Sequence, residues 1–273
     1  MLARAWAGLD IDAQYRARVL AANLAEGGGV VTSHDSASAM WRLPIIGQWP
    51  AKIHVVSEAA AGGRSNAVFV RHAVGIPDDF EVIEGVRVTH LARTVADIAA
   101  TRSFAQGVAS ADAALRRTTH PRADVPRTFI SLSDLRAEAE RIPLKHGFAK
   151  ASRVIEFANG LADRPGESIS RATMHQIGVT PPELQVPMQG ASGRWYIVDF
   201  WWPDFNHIGE FDGRFKYSDP RFLQGRTPEQ ALMDEKLRED DLRAVPHGMS
   251  RWGWDVARSI PRLRALLAAA GIR

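Results

Sequence analysis

The chain has 273 residues, of which 45% are apolar and 24% charged, proportions typical of a globular protein with one large domain or two ordinary ones. Its formal net charge of +3 permits nucleic acid as a partner without requiring one. The absence of cysteine excludes disulfides, zinc sites built on thiolates and cysteine nucleophiles.

The N-terminal part predicts a mixture of helices and strands. Periodicity and turn residues predict helices over 13–24, 33–43, 90–100, 103–117, 133–141 and 146–160, and strands over 51–57, 67–72 and 81–89. The sequence GLADRPG at 160–166 is the predicted linker. We therefore expect two parts, residues 1–160 and 165–273.

The C-terminal part predicts an alternation of helices and strands. The predicted helices cover 167–178, 228–244 and 259–270, and the predicted strands cover 183–188, 195–202, 208–213 and 249–252. Thr227 and Pro228 form a typical helix start. This order favours an α/β sandwich.

Three acidic residues stand on two neighbouring strands of this part. Asp199 lies on the strand 195–202, and Glu210 and Asp212 share one face of the next strand. The short connection predicts antiparallel neighbours, so the carboxylates should converge in an apolar setting. Packed carboxylates repel one another, and a divalent ion relieves that repulsion. Oxygen ligands favour Mg²⁺ or Mn²⁺, which would activate water and polarise a phosphoryl group.

Two lysines and a further acid are candidates to complete this site. Lys216 follows the strand, Lys236 lies in the next helix, and Glu167 starts the preceding helix. Alternatives remain for each of them. Lys236 fits a solvated helix face, Glu167 fits a favourable acid at a helix N-terminus, and the spacing of the acids also arises by chance.

Several C-terminal segments, taken together in their order along the chain, indicate a protein family more specifically than any one of them does alone. They are GESISR (166–171), PPELQV (181–186), YIVDFWWP (196–203), IGEFDGRFKY (208–217), DEKLREDDLRA (234–244) and RWGWDV (251–256). Together they resemble the very-short-patch-repair endonuclease-like branch of the PD-(D/E)XK nuclease superfamily, a domain common in actinobacteria. The resemblance implies a restriction-endonuclease-like fold, with a central mixed sheet flanked by helices, and metal-dependent hydrolysis of phosphodiester bonds.

The resemblance also implies roles for single residues. Asp199 matches the first metal-binding acid, Glu210 the acid of the second motif, and Glu167 a helix acid that assists metal binding. Asp212 stands where the superfamily usually has a lysine, a departure shared with this branch. We predict that Asp199, Glu210 and Asp212 bind the metal and that Lys216 or Lys236 replaces the lysine.

The N-terminal part resembles AbiEi-type antitoxins of abortive-infection systems. The segments that carry this resemblance are VTSHDSASAMWRLP (31–44), IHVVS (53–57), VRH (70–72) and GVRVTHLARTVADIAA (85–100). A winged-helix segment usually precedes this region in those antitoxins, and here we expect at most a remnant of it in 1–30. The resemblance implies a cognate toxin or defence-system protein as a partner.

A second group of polar residues invites a different interpretation. Ser33, His34, Asp35 and Ser36 are the residue types of a hydrolase site, but no nucleophile elbow surrounds them. Ser33 as a helix cap is the favoured explanation. We expect His54, His72 and His90, which lie in or beside predicted strands, to be structural or to lie at the surface.

The leading hypothesis is a cytoplasmic endonuclease that uses Mg²⁺ or Mn²⁺ on nucleic acid, with DNA as the expected substrate. No segment has 18 consecutive apolar residues and the N-terminus lacks a secretory pattern, so no membrane partner is expected. The alternatives are a non-catalytic DNA-binding antitoxin or regulator and a protein-interaction module. The sequence does not determine the oligomeric state.

Overall fold

The structure is a computed structural model that describes residues 6–58, 65–120, 128–142, 147–213 and 227–273. The chain divides into two compact units, which we call unit 1 (Met1–Gly160) and unit 2 (Leu161–Arg273). Each unit mixes helices with strands, which confirms the predicted α/β class at that level. None of the helices within the described ranges is long and apolar enough to cross a lipid bilayer.

Unit 1 combines helices with two pairs of strands. Its described helices are α1 (Ile11–Ala25), α2 (His34–Met40), α3 (Leu91–Thr101), α4 (Phe104–Thr119), α5 (Leu132–Glu140) and α6 (Phe148–Phe157), and its strands are β1 (Ile53–Val56), β2 (Phe69–His72), β3 (Glu81–Ile83) and β4 (Val86–Val88). The pair β1–β2 is parallel and the pair β3–β4 is antiparallel. Thr32 forms single bridges to Val55 and Val88, and so links the two pairs.

Helix α3 is the centre of unit 1. It contacts α2, α4, α5 and α6. Leu91, Val95 and Ile98 recur at helical spacing and are all buried, so the apolar stripe of α3 faces the core. The burial of this stripe supplies the main driving force for packing the other helices around it.

The predicted strand over 81–89 is wrong as a single element. The chain turns back between β3 and β4 at Glu84 and Gly85, whose φ angles are 51° and 81°. Two consecutive residues with positive φ are typical of a tight two-residue hairpin turn. The continuous Val/Ile pattern over 81–89 concealed this turn because glycine at its second position is the only local signal.

Unit 2 is a four-stranded mixed sheet with helices on both faces. Its described helices are α7 (Pro165–Ile177), α8 (Pro228–Arg243), α9 (Trp254–Ala257) and α10 (Ile260–Ala269), and its strands are β5 (Glu183–Gln189), β6 (Trp195–Trp202), β7 (His207–Phe211) and β8 (Gly248–Trp252). The strand order is β5-β6-β7-β8. The first two pairings are antiparallel and β7–β8 is parallel, so the predicted antiparallel pairing of β6 with β7 is confirmed.

The two faces of this sheet carry different helices. On one face, the indole N–H of Trp252 donates to Ser170 Oγ of α7 at 2.8 Å. On the other face, Leu242 of α8 packs in a fully buried cluster with Val198 and Ile208. Helix α8 begins where the sequence predicts, because Thr227 and Gln230 form a reciprocal capping box.

Gly209 in β7 lies where the aromatic face of the sheet leaves no space for a side chain. A Cβ atom there would lie 2.7 Å from the Trp252 ring and 2.8 Å from the Trp202 ring. We expect Gly209→Ala to destabilise unit 2 by roughly 1–3 kcal/mol through overpacking, measured by urea unfolding. Gly29→Ala is the control, since its nearest neighbour would be 3.9 Å away; equal midpoints for the two variants would contradict this expectation.

Candidate functional site

Asp199 lies at the point where the pairing between β6 and β7 stops. The paired residues run from Trp202 and His207 to Phe200 and Gly209. Beyond them, the Asp199 side chain accepts the backbone N–H of Phe211 at 2.8 Å. A carboxylate oxygen therefore takes the place of a backbone carbonyl, which holds Asp199 against β7, an inner strand of the sheet.

The regular alternation of side chains fails at Asp199. Val198 packs with Leu242 on the α8 face, whereas Phe200 stacks on Trp252, which is bonded to α7 on the other face. Strict alternation would place Val198 and Phe200 on one face. Asp199 therefore stands at a local irregularity, between the two faces of the sheet.

Glu167 of α7 is one acid that the fold places beside Asp199. Its side chain is 3% exposed, and its Oε2 accepts the Asp163 backbone N–H at 2.7 Å and the Gln185 amide at 2.9 Å. The same Gln185 nitrogen lies 3.5 Å from Asp199 Oδ1. Burial, and then the charge of Asp199, raise the pKa of Glu167 well above its ordinary value.

Glu210 of β7 is the second acid beside Asp199. It is 5% exposed and forms a two-point ion pair with Arg238 of α8, with N···O distances of 2.8 and 3.4 Å. Burial and the charge of Asp199 raise the pKa of Glu210 to about 7, although the Arg238 guanidinium opposes the shift. Asp199 thus couples electrostatically to a buried glutamate on each side.

Asp212 lies in a separate group of charges around Arg251. The Arg251 guanidinium is 3.6 Å from Asp212 Oδ2 and 2.9 Å from Glu235 Oε1, and it also bonds to Glu239. These acids and Arg251 form a network between the end of β7, β8 and α8. The structure therefore brings Asp199 next to Glu167 and Glu210, and brings Asp212 next to Arg251.

The two predicted lysines have different outcomes. Lys216 lies outside the described residues. Lys236 is exposed on α8, and Arg238, two positions further along, reaches Glu210 instead. Sequence reasoning missed Arg238 and Gln185. The signal for Arg238 was its spacing from Glu235 and Leu242, which places all three on one face of α8.

A divalent ion would find suitable donors here. Among the residues that the structure describes, no three His, Asp or Glu side chains stand ready as a complete metal-binding group. Mg²⁺ does not need such a group, since it keeps several waters and usually takes one or two carboxylates. Glu167 and Asp199, adjacent and mutually repelling, fit that requirement, and Glu210 would add a third donor if Arg238 moved away.

Unit 1 contains a second polar cluster, formed by three histidines. The rings of His34 and His72 stack with centroids 3.6 Å apart, and His72 Nε2 lies 3.1 Å from His54 Nδ1. His34 is buried and has a left-handed φ of 48°, which is uncommon for a non-glycine residue. Burial is the largest cause that lowers the pKa of each of these histidines, and for His72 the value is about 4.

Two aspartates accompany the histidine cluster. Asp35 is bonded to Arg102 at 2.7 Å, and Asp97 is bonded to Arg93 at 2.9 Å. Asp97 Oδ2 is 3.7 Å from His34 Nδ1 and has no hydrogen-bond partner within the described ranges. Burial raises the pKa of Asp97 to about 6, against the effect of Arg93.

The prediction that the side chain of Ser33 caps helix α2 is wrong. Ser33 occupies the N-cap position of α2, but its hydroxyl makes no capping bond and instead lies 3.0 Å from His34 Nδ1. Asp97 approaches the same nitrogen of His34. A Ser–His–Asp relay needs the two partners on different ring nitrogens, so these residues do not form one.

Two proteins of similar sequence match both units of this chain. The chain is 25% identical over 271 residues to Uncharacterized protein Rv2248 and Uncharacterized protein MT2308, from two strains of Mycobacterium tuberculosis. The likeness covers 96% of this chain and 94% of each relative. No family profile and no solved structure match the chain.

Proposed function

We propose that unit 2 is a metal-dependent nuclease that hydrolyses phosphodiester bonds of nucleic acid, with DNA as its expected substrate. The observation that carries this proposal is the position of Asp199, which couples to a buried glutamate on either side in the middle of a mixed sheet. Excess negative charge in an apolar setting is relieved by a divalent cation. The proposal includes the restriction-endonuclease-like fold that the sequence resemblance implies.

The ligands of the ion would be Asp199 with Glu167, or with Glu210. When bound, Mg²⁺ or Mn²⁺ would lower the pKa of a coordinated water and neutralise charge on the reacting phosphate. Asp199 is held for this task by the N–H of Phe211, which fixes one of its oxygens. Arg238 is the cation nearest to Glu210 among the described side chains, and on release it would meet a phosphate oxygen.

The test is a cleavage panel on single- and double-stranded DNA and RNA with Mg²⁺ and Mn²⁺. Asp199→Asn keeps an acceptor for the Phe211 N–H and removes the charge. We expect it to lose cleavage by at least about 100-fold, since even residues that only support a metal ligand cost 10–100-fold. Asp204→Asn, at an exposed turn, is the matched control and should cleave normally. Equal rates for both variants would remove Asp199 from the mechanism.

A second function is favoured by the Arg238–Glu210 ion pair, which occupies one predicted metal ligand. In that case unit 2 would be a non-catalytic platform, and the chain would act as a DNA-binding antitoxin or regulator with a cognate toxin or defence-system protein as its partner. DNA binding that weakens with salt, survives EDTA and produces no strand scission would decide for this alternative.

A further inference from the structure

Gln185 stands directly opposite Asp199 in the register of β5 and β6. The paired residues on either side of this position are Leu184 with Phe200 and Val186 with Val198. Gln185 has a φ of 52°, in the left-handed region, which glycine and asparagine tolerate better than glutamine. A strained backbone conformation inside a strand persists when the surrounding structure imposes it, and such residues cluster at functional sites.

The side chain of Gln185 joins two acids from different elements. Its amide nitrogen donates to Glu167 Oε2 of α7 at 2.9 Å and lies 3.5 Å from Asp199 Oδ1 of β6. An uncharged donor between two carboxylates lets them stand close together without adding another charge. If the position served the backbone alone, asparagine or glycine would suit it better, but the shorter asparagine amide would not span the two carboxylates.

We propose that Gln185 is a positioning residue, whose amide sets the separation of Glu167 and Asp199 and so prepares these two carboxylates to receive one divalent ion. This inference rests on the proposed nuclease function. It assigns to Gln185 a task that the segment PPELQV alone did not predict, and it explains why a strained glutamine stands at an irregularity of the sheet.

The decisive variant is Gln185→Asn, which suits the left-handed backbone and shortens the amide by one methylene. We expect its unfolding midpoint to equal or exceed that of the wild type. In a crystal structure of the metal-free variant, we expect Glu167 and Asp199 to lie farther apart than in a wild-type crystal. Glu84→Asn, at a left-handed turn position in unit 1, is the control for relief of strain alone.

The functional readout is the affinity for Mn²⁺, measured by electron paramagnetic resonance on the full chain. We expect Gln185→Asn and Gln185→Met to bind Mn²⁺ roughly 10–100-fold more weakly, as supporting residues of metal ligands do. Cleavage should show a lower kcat, with the KM for DNA unchanged. Glu84→Asn should match the wild type in Mn²⁺ affinity and in cleavage.

The outcomes separate this inference from the proposed function. Glu167 and Asp199 at wild-type positions in Gln185→Asn would overturn the inference, whatever the protein does with metal. Unchanged Mn²⁺ affinity in that variant would overturn it as well. A wild type that binds no Mn²⁺ and cleaves nothing would instead overturn the nuclease proposal, while the crystal comparison would still decide whether Gln185 positions the acids.

Discussion

Replacing Arg238 with methionine is expected to destabilise unit 2 by about 3 kcal/mol at pH 8, because Glu210 then remains buried without its partner. Glu210 is 5% exposed, and both of its carboxylate oxygens bond to Arg238. Methionine keeps much of the apolar stem of arginine and removes the guanidinium. The measurement is the urea unfolding of each variant, monitored by circular dichroism.

A double variant tests whether the buried charge is the cause. Adding Glu210→Gln to Arg238→Met should restore most of the lost stability, since a neutral amide does not need a cation. Lowering the pH to 6 should also reduce the loss, because the pKa of Glu210 is about 7 with Arg238 present and higher without it, so the carboxyl is then neutral.

Arg243→Met is the matched control on the same helix. Arg243 pairs with Glu239 at 2.8 Å, but its side chain is 47% exposed. An exposed pair of this kind contributes roughly 0–1 kcal/mol, so this variant should stay close to the wild type. Equal losses of unfolding free energy for Arg238→Met and Arg243→Met would show that the Arg238–Glu210 pair stabilises the unit no more than an exposed pair does.

Acidification from pH 7 to pH 5 is expected to destabilise unit 1 by about 2 kcal/mol, through the histidine cluster. The folded-state pKa values of His34, His54 and His72 are lower than the value of about 6.5 in an unfolded chain. Between pH 6.5 and 4 the unfolded chain therefore binds protons that the native cluster excludes. Stability that is present above pH 6.5 is lost as the pH falls through this window.

Asp97 opposes part of this loss. Burial raises its pKa to about 6, so the native state gains a proton below that pH more readily than the unfolded chain does. This contribution increases the stability as the pH falls. The destabilising contribution of the three histidines exceeds the opposing contribution of Asp97. Because His54 and His72 are partly exposed, solvent screens their charges, and the expected loss of stability is smaller than their full pKa shifts would give.

His72→Phe removes one titrating ring and keeps an aromatic ring for stacking on His34. We expect this variant to lose about half of the acid sensitivity, measured by hydrogen exchange of peptides that cover α2 and β1 at pH 7 and pH 5. His120→Gln, at an exposed helix end, is the control and should leave the acid sensitivity unchanged. A wild type with the same free energy of opening at both pH values would contradict the expectation.

The elements of unit 2 could be predicted well because their signals are local. Thr227 and Pro228 mark the start of α8, and the apolar runs of β6 and β7 are separated by a short loop. Each of these signals acts within a few residues, through capping bonds and side-chain alternation. The parallel strand β8 was also foreseen as an element, but its partner in the sheet was not.

The candidate site was foreseen only in part. Asp199 and Glu210 were named from their pattern, whereas Gln185 and Arg238 were not named as site residues, although they lie within the segments PPELQV and DEKLREDDLRA. Gln185 and Arg238 reach these acids through contacts over 14 and 28 residues of sequence, which no local rule predicts. The same holds for the histidine cluster, where the pairing of β1 with β2 brings His54 close to His72, and His34 of α2 stacks on His72.

The sequence by itself determined the α/β class and most helix and strand positions of unit 2, and it named Asp199 and Glu210 as candidates for the site. Periodicity, helix caps and the spacing of acids are local features of the sequence. Only the tertiary structure decided which acids are neighbours and which cation meets Glu210. These contacts depend on the register of the strands and on the irregularity at Asp199. There a side-chain oxygen replaces a backbone hydrogen-bond partner, and the regular alternation of side chains along β6 ends. Register arises from packing between distant segments, so the pairing of Asp199 with Glu167 became visible only in the fold.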